Sequence, residues 1–183
     1  MGIHNYEAEY ARAQEQVTES QLSLKNKQLI FSFVNDLLLE GLSLPRLIKY
    51  LRLLRLIGVS LNKDFDTVSK DDLKQFVSSI QQKITYSPWT VRGYKEILRR
   101  FYRWMEKTQG YANIIDWISL KISKSQKKLP SQTELLVEED IQTLLRNAEH
   151  PRDKAFVSML WESGARIGEI GNLCLENITV DRY

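Results

Sequence analysis

From Ser87 to Gly110 the sequence can be satisfied by little except one long two-faced helix. Ser87 is a good N-cap, Pro88 suits the first turn, and Gly110 supplies the terminator beyond about Lys107. At about 100° per residue, Tyr94, Leu98, Phe101 and Met105 gather on one side, flanked by Val91, Ile97, Tyr102 and Trp104. Arg92, Lys95, Arg99 and Arg103 fall within an arc of roughly 80° on the other side, with Arg100 on its shoulder. One face must pack, and the other is cationic. Six Lys/Arg stand against two Glu between residues 92 and 107, although Glu96 is placed to pair with Arg92, Arg99 or Arg100.

The surrounding segments share the helical period. The set Leu29, Ile30, Phe33 and Leu37 predicts a helix over Ser23–Glu40, closed by Gly41, and a second is predicted from Pro45 to Gly58. The second carries Arg46, Lys49, Arg52 and Arg55 spread around it. Ser69-Lys70-Asp71-Asp72 opens a third helix with a capping-box pattern, Asp replacing the usual Glu, and Leu73, Phe76, Val77 and Ile80 form its core face. Residues 1–20 are polar and weakly patterned, which fits a tail or a frayed helix.

A short apolar helix is predicted from Ile114 to Ile122. It leads into Ser123-Lys124-Ser125-Gln126-Lys127-Lys128-Leu129-Pro130-Ser131, whose Ser, Lys and Pro without apolar period mark an interdomain linker. Beyond it, Glu138-Glu139-Asp140 places acid in the first turn of a helix carrying Ile141, Leu144 and Leu145. His150-Pro151 opens the next helix, which runs to Gly164, and Ile178-Thr179-Val180 has the character of a first strand. Four divisions are therefore expected: an N-terminal tail over 1–20, a helical domain over 21–112, a short helix and basic linker over 113–134, and the start of a second domain over 135–183.

Charge is concentrated rather than mixed. Residues 41–128 hold eighteen Lys/Arg against seven Asp/Glu, whereas residues 129–183 hold five against ten, and the whole chain is only +3. Such a block implies a polyanion, nucleic acid first and an anionic membrane second, and no amphipathic anchor with a lipid signal favours the membrane. A solvated cationic surface that binds nothing is the other reading of charge alone. The richest apolar run, Leu51–Val59, is broken by Arg52 and Arg55, and the N-terminus lacks a secretory or myristoylation pattern, so a cytoplasmic protein is expected. With Cys174 alone, and His4 and His150 the two histidines, neither a disulfide nor a metal site is expected.

The second unit contains Ser163-Gly164-Ala165-Arg166-Ile167-Gly168-Glu169-Ile170. An arginine and a glutamate three residues apart, after a helix-breaking glycine, can share one face of a new helical turn. A guanidinium held there by a carboxylate suits two parallel hydrogen bonds to a phosphate. This octapeptide, after Ala155-Phe156-Val157-Ser158-Met159-Leu160-Trp161-Glu162, resembles the first arginine motif of the tyrosine recombinases, the phage integrase and Xer-like family, where TGLRISEL is usual. Tyr86-Ser87-Pro88-Trp89-Thr90-Val91-Arg92-Gly93-Tyr94 and Leu98-Arg99-Arg100-Phe101-Tyr102-Arg103-Trp104-Met105 are similar to the core-binding domain of the same family. Leu135-Leu136-Val137-Glu138-Glu139-Asp140-Ile141-Gln142-Thr143-Leu144-Leu145 looks like the entry to its catalytic domain.

The resemblance, which covers the chain from about residue 21, implies a mainly α fold: a SAM-like bundle of four or five helices, then the helical start of an incomplete α+β catalytic domain. It implies site-specific recombination of double-stranded DNA through a 3′-phosphotyrosyl intermediate, with no metal, nucleotide cofactor or small-molecule substrate. The family works as a tetramer on DNA. Arg166 would be the first catalytic arginine and Glu169 its supporting acid. Contacts to DNA would come from Arg92, Lys95, Arg99, Arg100 and Arg103, from Lys49 and Arg52, and from Lys124, Lys127 and Lys128 of the linker. The family's β-hairpin lysine, His-x-x-Arg box, further His or Trp, and nucleophilic tyrosine have no counterparts here, and Tyr183 follows Arg166 too soon to serve. No strand cleavage is expected of these 183 residues alone. A non-catalytic DNA-binding protein that occupies recombination sites, and a helical protein-interaction module, are the readings from other classes.

Overall fold

The computed structural model describes residues 5–123, 126, 131, 134–177 and 179. Among them are eight α-helices and no strand: α1 (Tyr6–Thr18), α2 (Leu24–Leu39), α3 (Leu44–Leu61), α4 (Lys70–Gln82), α5 (Pro88–Gln109), α6 (Glu138–Asn147), α7 (Pro151–Ser163) and α8 (Ile167–Gly171). The chain divides into two units, the larger running from Tyr6 to Lys127 and the smaller holding α6 to α8. The expected strand at 178–180 lies outside the described residues except for Thr179.

Helix α5 forms as its sequence dictates. Ser87 Oγ accepts the Thr90 N–H at 3.1 Å, Pro88 fills the first turn, and Gly110 ends the helix at φ 70°, a left-handed conformation that favours glycine. Its apolar face is buried along Val91, Tyr94, Ile97, Leu98, Phe101, Tyr102 and Met105. Phe101 packs edge-on against Phe33 of α2 at 5.2 Å and against Phe65 of the α3–α4 loop at 4.9 Å. Helix α3 packs against α1, α2, α4 and α5, burying Leu47, Ile48, Leu51, Leu54 and Ile57.

Three segments differ from expectation. Residues 6–18, read as a tail or a frayed helix, form α1, which buries Ala13 and Val17 and packs on α3. Two apolar positions one turn apart are too faint a stripe to read in isolation. Helix α3 continues past Gly58 to Leu61 and ends at Asn62, whose φ is 48°. Gly58 is there for closeness: a Cβ on it would meet Leu22 Cδ2 at 2.7 Å and Phe65 Cζ at 2.9 Å. Residues 114–122 are not helical. Ile115 takes its N–H to Asn113 Oδ1 and Trp117 its indole N–H to the Ile114 carbonyl, so local bonds replace the helical ladder while Ile115 and Ile118 are buried. A β-branched stretch this short nucleates a helix poorly.

The α3–α4 loop is clasped to the start of α2. Asn26 is the one buried polar or charged residue among those described in the larger unit; its Nδ2 donates to the Lys63 carbonyl at 2.9 Å and its Oδ1 accepts the Phe65 N–H at 2.8 Å. Ser23 and Lys25 add bonds to Asp64 and Asp66. Tyr102 donates to the Phe65 carbonyl at 3.2 Å, and burial raises its pKa. In the smaller unit, by contrast, Ile141 is the one buried residue of α6 to α8 among those described. Leu144, Met159, Trp161 and Ile167 are all exposed.

Replacing Asn26 by Ala leaves a buried N–H and a carbonyl without partners, and is expected to destabilise the larger unit by about 2–3 kcal/mol, read as a lower urea midpoint at unchanged slope. Asp72 gives a pH-dependent prediction. Its carboxylate accepts from Lys63 at 2.7 Å and from Ser69 N–H and Oγ at 2.9 and 2.8 Å, which lowers its pKa from 3.8 to about 2. A lowered folded-state value stabilises the ionised form. The contribution is therefore complete above about pH 4 and fades as pH falls toward 2. Asp72→Asn should remove that part of the thermal-stability loss between pH 4 and 2 while leaving the rest of the acid profile in place.

Candidate nucleic-acid interface and arginine turn

With its apolar face packed, α5 presents its cations outward, but not onto one surface. Arg99, Arg100 and Arg103, joined by Lys107, line a cleft of about 790 Å³ against α2, floored by Phe33, Leu37 and Trp104. Arg92 and Lys95 line a separate notch of about 180 Å³ against residues 119–122. The single arc expected from helical spacing opens on two depressions, because neighbouring chain rises on both sides of the helix.

Partners divide these cations further. Arg100 is held by Glu40 at 2.7 Å and lies 5.6 Å over the Tyr50 ring, and Arg92 is held by Glu96 at 2.8 Å and lies 5.7 Å from the Trp89 ring centre. Arg52 points to Glu9 of α1 at 3.4 Å. Among the described residues, no carboxylate lies within ion-pair distance of Lys49, Lys95, Arg99, Arg103 or Lys107. Lys49 is exposed, with its Nζ 3.8 Å from where a Cβ on Gly93 would stand, so it joins the outer face of α5. The Arg99 Nε is buried and has no hydrogen-bond partner. Lys124, Lys127 and Lys128 lie outside the described residues.

Sequence reasoning missed the acidic wall of the cleft. Asp36 of α2 accepts the Trp104 indole N–H at 2.7 Å, and Glu40, the residue that caps the end of α2, takes Arg100, both across the cleft. The two acids stand four residues apart and so share a face, but that spacing does not say what the face meets. The Tyr86–Tyr94 pairing was likewise not foreseen: the two rings stack at 5.7 Å and their hydroxyls are 3.4 Å apart. Burial, then the bond to Tyr86, pushes the Tyr94 pKa up to about 12, whereas the bond from Tyr94 and the nearby Lys83 lower that of Tyr86.

In the smaller unit, Gly164 ends α7 at φ 60° and Arg166 takes the N-cap position of α8. Glu169, three residues on, reaches back twice: Oε2 accepts the Arg166 backbone N–H at 2.7 Å and Oε1 accepts Nη1 of its guanidinium at 3.1 Å. The pair sits on one turn, as the spacing predicts. The arginine side chain is 88% exposed, so its remaining donors face solvent. Among the described residues no cluster of His, Cys, Asp and Glu could hold a metal ion, and no helix is long and apolar enough to cross a membrane.

The larger unit thus carries a cationic helix face and the smaller an outward-facing arginine turn. The chain is 29% identical over 162 residues to the tyrosine recombinase XerC of Oceanobacillus iheyensis, an alignment that covers 81% of this chain and 50% of that protein. This supports the tyrosine recombinase family. The chain thus spans half the length of that curated relative. No protein-family model and no solved structure matches it.

Because the Arg166–Glu169 pair is exposed, removing it should cost the fold under about 1 kcal/mol. Glu169→Ala is expected to leave the unfolding transition nearly in place while the Arg166 amide exchanges about fivefold faster by NMR, the loss of one modest hydrogen bond.

Proposed function

We propose that this chain is the DNA-binding part of a site-specific tyrosine recombinase together with the first piece of its catalytic domain. The observation that carries the reading is the Arg166 turn: a guanidinium anchored by one carboxylate, free on its other edge, in a chain whose charge block of eighteen Lys/Arg precedes it. In this reading residues 21–112 form the core-binding domain, 113–134 the linker, and 135–183 the entry to the catalytic domain.

The chemistry assigned to Arg166 is electrostatic. Attack on a phosphodiester builds negative charge on the non-bridging oxygens, and a preorganised guanidinium stabilises that charge more than the ground state. Glu169 keeps the arginine on its turn. In such a recombinase a tyrosine hydroxyl forms the 3′-phosphotyrosyl link and a 5′-hydroxyl later reverses it, so the phosphodiester energy is conserved. These 183 residues are proposed to supply duplex binding and one arginine of the site. The exposed apolar residues of α6 to α8 fit a unit that packs against a further apolar surface.

A labelled duplex titrated at two salt concentrations tests the reading. Binding should weaken steeply with salt, because each neutralised phosphate releases counterions and contributes about −0.9 to the slope of log K against log salt. The double variant Arg99→Glu/Arg103→Glu should bind about tenfold or more weaker with a slope reduced by about 2. Folded protein with no duplex binding at low salt would rule the proposal out, and equal binding by the double variant would remove the cleft from the interface. Arg166→Ala should leave duplex affinity within about threefold, since one contact among several is lost.

A further inference from the structure

Three arginines of the larger unit pair with carboxylates among the described residues, and they are held by different edges. Arg100 spends both terminal nitrogens, Nη2 on Glu40 at 2.7 Å and Nη1 on the Tyr50 hydroxyl at 3.4 Å, and Arg52 reaches Glu9 through Nη2 at 3.4 Å. Arg92 is held the other way round. Glu96 takes its Nε at 2.8 Å, the guanidinium lies 5.7 Å from the Trp89 ring centre, and Nη1 and Nη2 bond no described residue. The side chain is still 39% exposed. A carboxylate one turn along α5 and an indole one turn back thus brace the group while leaving its two-pronged end unspent.

That arrangement suits a planar pair of neutral acceptors better than a phosphate. Glu96 offsets the charge of Arg92, so the pair adds little to the attraction of a polyanion, and a carboxylate brought up to a phosphate is itself repelled. What survives the pairing is geometry: two donors in one plane, already oriented. In the major groove guanine offers O6 and N7 to such a fork, and the cytosine opposite offers an amino donor to a carboxylate beside it. Position agrees. Arg92 stands in the second turn of α5, and the chain before it stands clear of the fold, with Lys83, Ile84, Thr85, Trp89 and Thr90 all exposed. In helices that read the major groove, the N-terminal residues are the ones that meet base edges. Resting on the duplex-binding reading, we infer that Arg92 reads a guanine base, with Trp89 and Glu96 as its positioning residues, while the unpaired Lys95, Arg99 and Arg103 supply attraction to phosphates. Sequence choice and affinity then sit on different cations of one helix.

A pool of duplexes of randomised sequence, bound by the chain, recovered and sequenced, tests the assignment. The expected result is a position at which guanine is preferred about tenfold over other bases. The double variant Arg92→Ala/Glu96→Ala changes the net charge by nothing. It should lose that preference, to under about twofold, and bind the pool with an unchanged salt slope. Trp89→Ala should relax the same position in part, again at unchanged slope. Arg103→Gln should do the converse, with the slope reduced by about 1 and the preference kept. The thermal transition of each variant, expected to stay in place at these exposed positions, confirms that the fold is intact. Guanine preference kept in the double variant would overturn the assignment, as would a loss confined to a position where another base is preferred, or a wild-type chain that binds the pool with no preference. In each of those cases duplex is still bound and the wider reading stands. No binding of the pool by folded wild-type chain at low salt would overturn both.

Discussion

The contact between Phe101 and Phe33 sets the rotation of α5, and the rotation of α5 decides where its charges go. Phe101 is fully buried and touches α2 through Phe33, the α3–α4 loop through Phe65, and its own helix through Trp104 at 6.0 Å. Arg99 and Arg103 lie two positions to either side, roughly 160° around the helix, so burying Phe101 turns them out. Phe33 also meets Tyr50 of α3 edge-on at 5.4 Å. The same aromatic cluster that joins three helices thereby brings up Tyr50, the ring on which Arg100 rests. A rotation of α5 by one residue would bury guanidinium groups without partners, at several kcal/mol for each.

The paired and unpaired cations do different work. Arg100 with Glu40 and Arg52 with Glu9 join elements distant in sequence, and their charges are largely spent within the fold. These exposed bridges add little stability individually but they reduce the field available to a ligand. Lys95, Arg99, Arg103 and Lys107 have no such compensation among the described residues, so they dominate the outward potential. Counting arginines along α5 overstates the charge it presents; subtracting those with a carboxylate gives the part left uncompensated among the described residues.

That subtraction is also where the sequence stops being legible. Local rules were enough for the elements whose signals lie within four residues: the Ser69–Asp72 box, the Ser87 cap with Pro88, the glycine stops at Gly110 and Gly164, and the Arg166–Glu169 turn. They failed where the deciding partner is remote. Gly58 reads as a helix end until Leu22 and Phe65 are seen pressing on it, and α1 reads as a tail until α3 is there to cover Ala13 and Val17. Glu40 is 60 residues from Arg100 and Asp36 is 68 from Trp104, so neither pairing has a period to betray it.

The Arg166 turn shows how an exposed charge can still be oriented. An ion pair at this exposure has little power to hold a long side chain, because water competes for both partners. The stronger hold is on the backbone: Glu169 fixes the Arg166 N–H at 2.7 Å, and that N-cap bond fixes the direction in which the side chain leaves the chain. Gly168, where the recombinase motif usually has Ser, is not needed for closeness, since a Cβ there would meet nothing within 4 Å. Glycine inside so short a helix instead weakens it by about 0.5–1 kcal/mol. The turn therefore depends on Glu169 more than a Ser-containing turn would, and any ligand that bonds the free edge of Arg166 would act at the same N-terminal end of the helix.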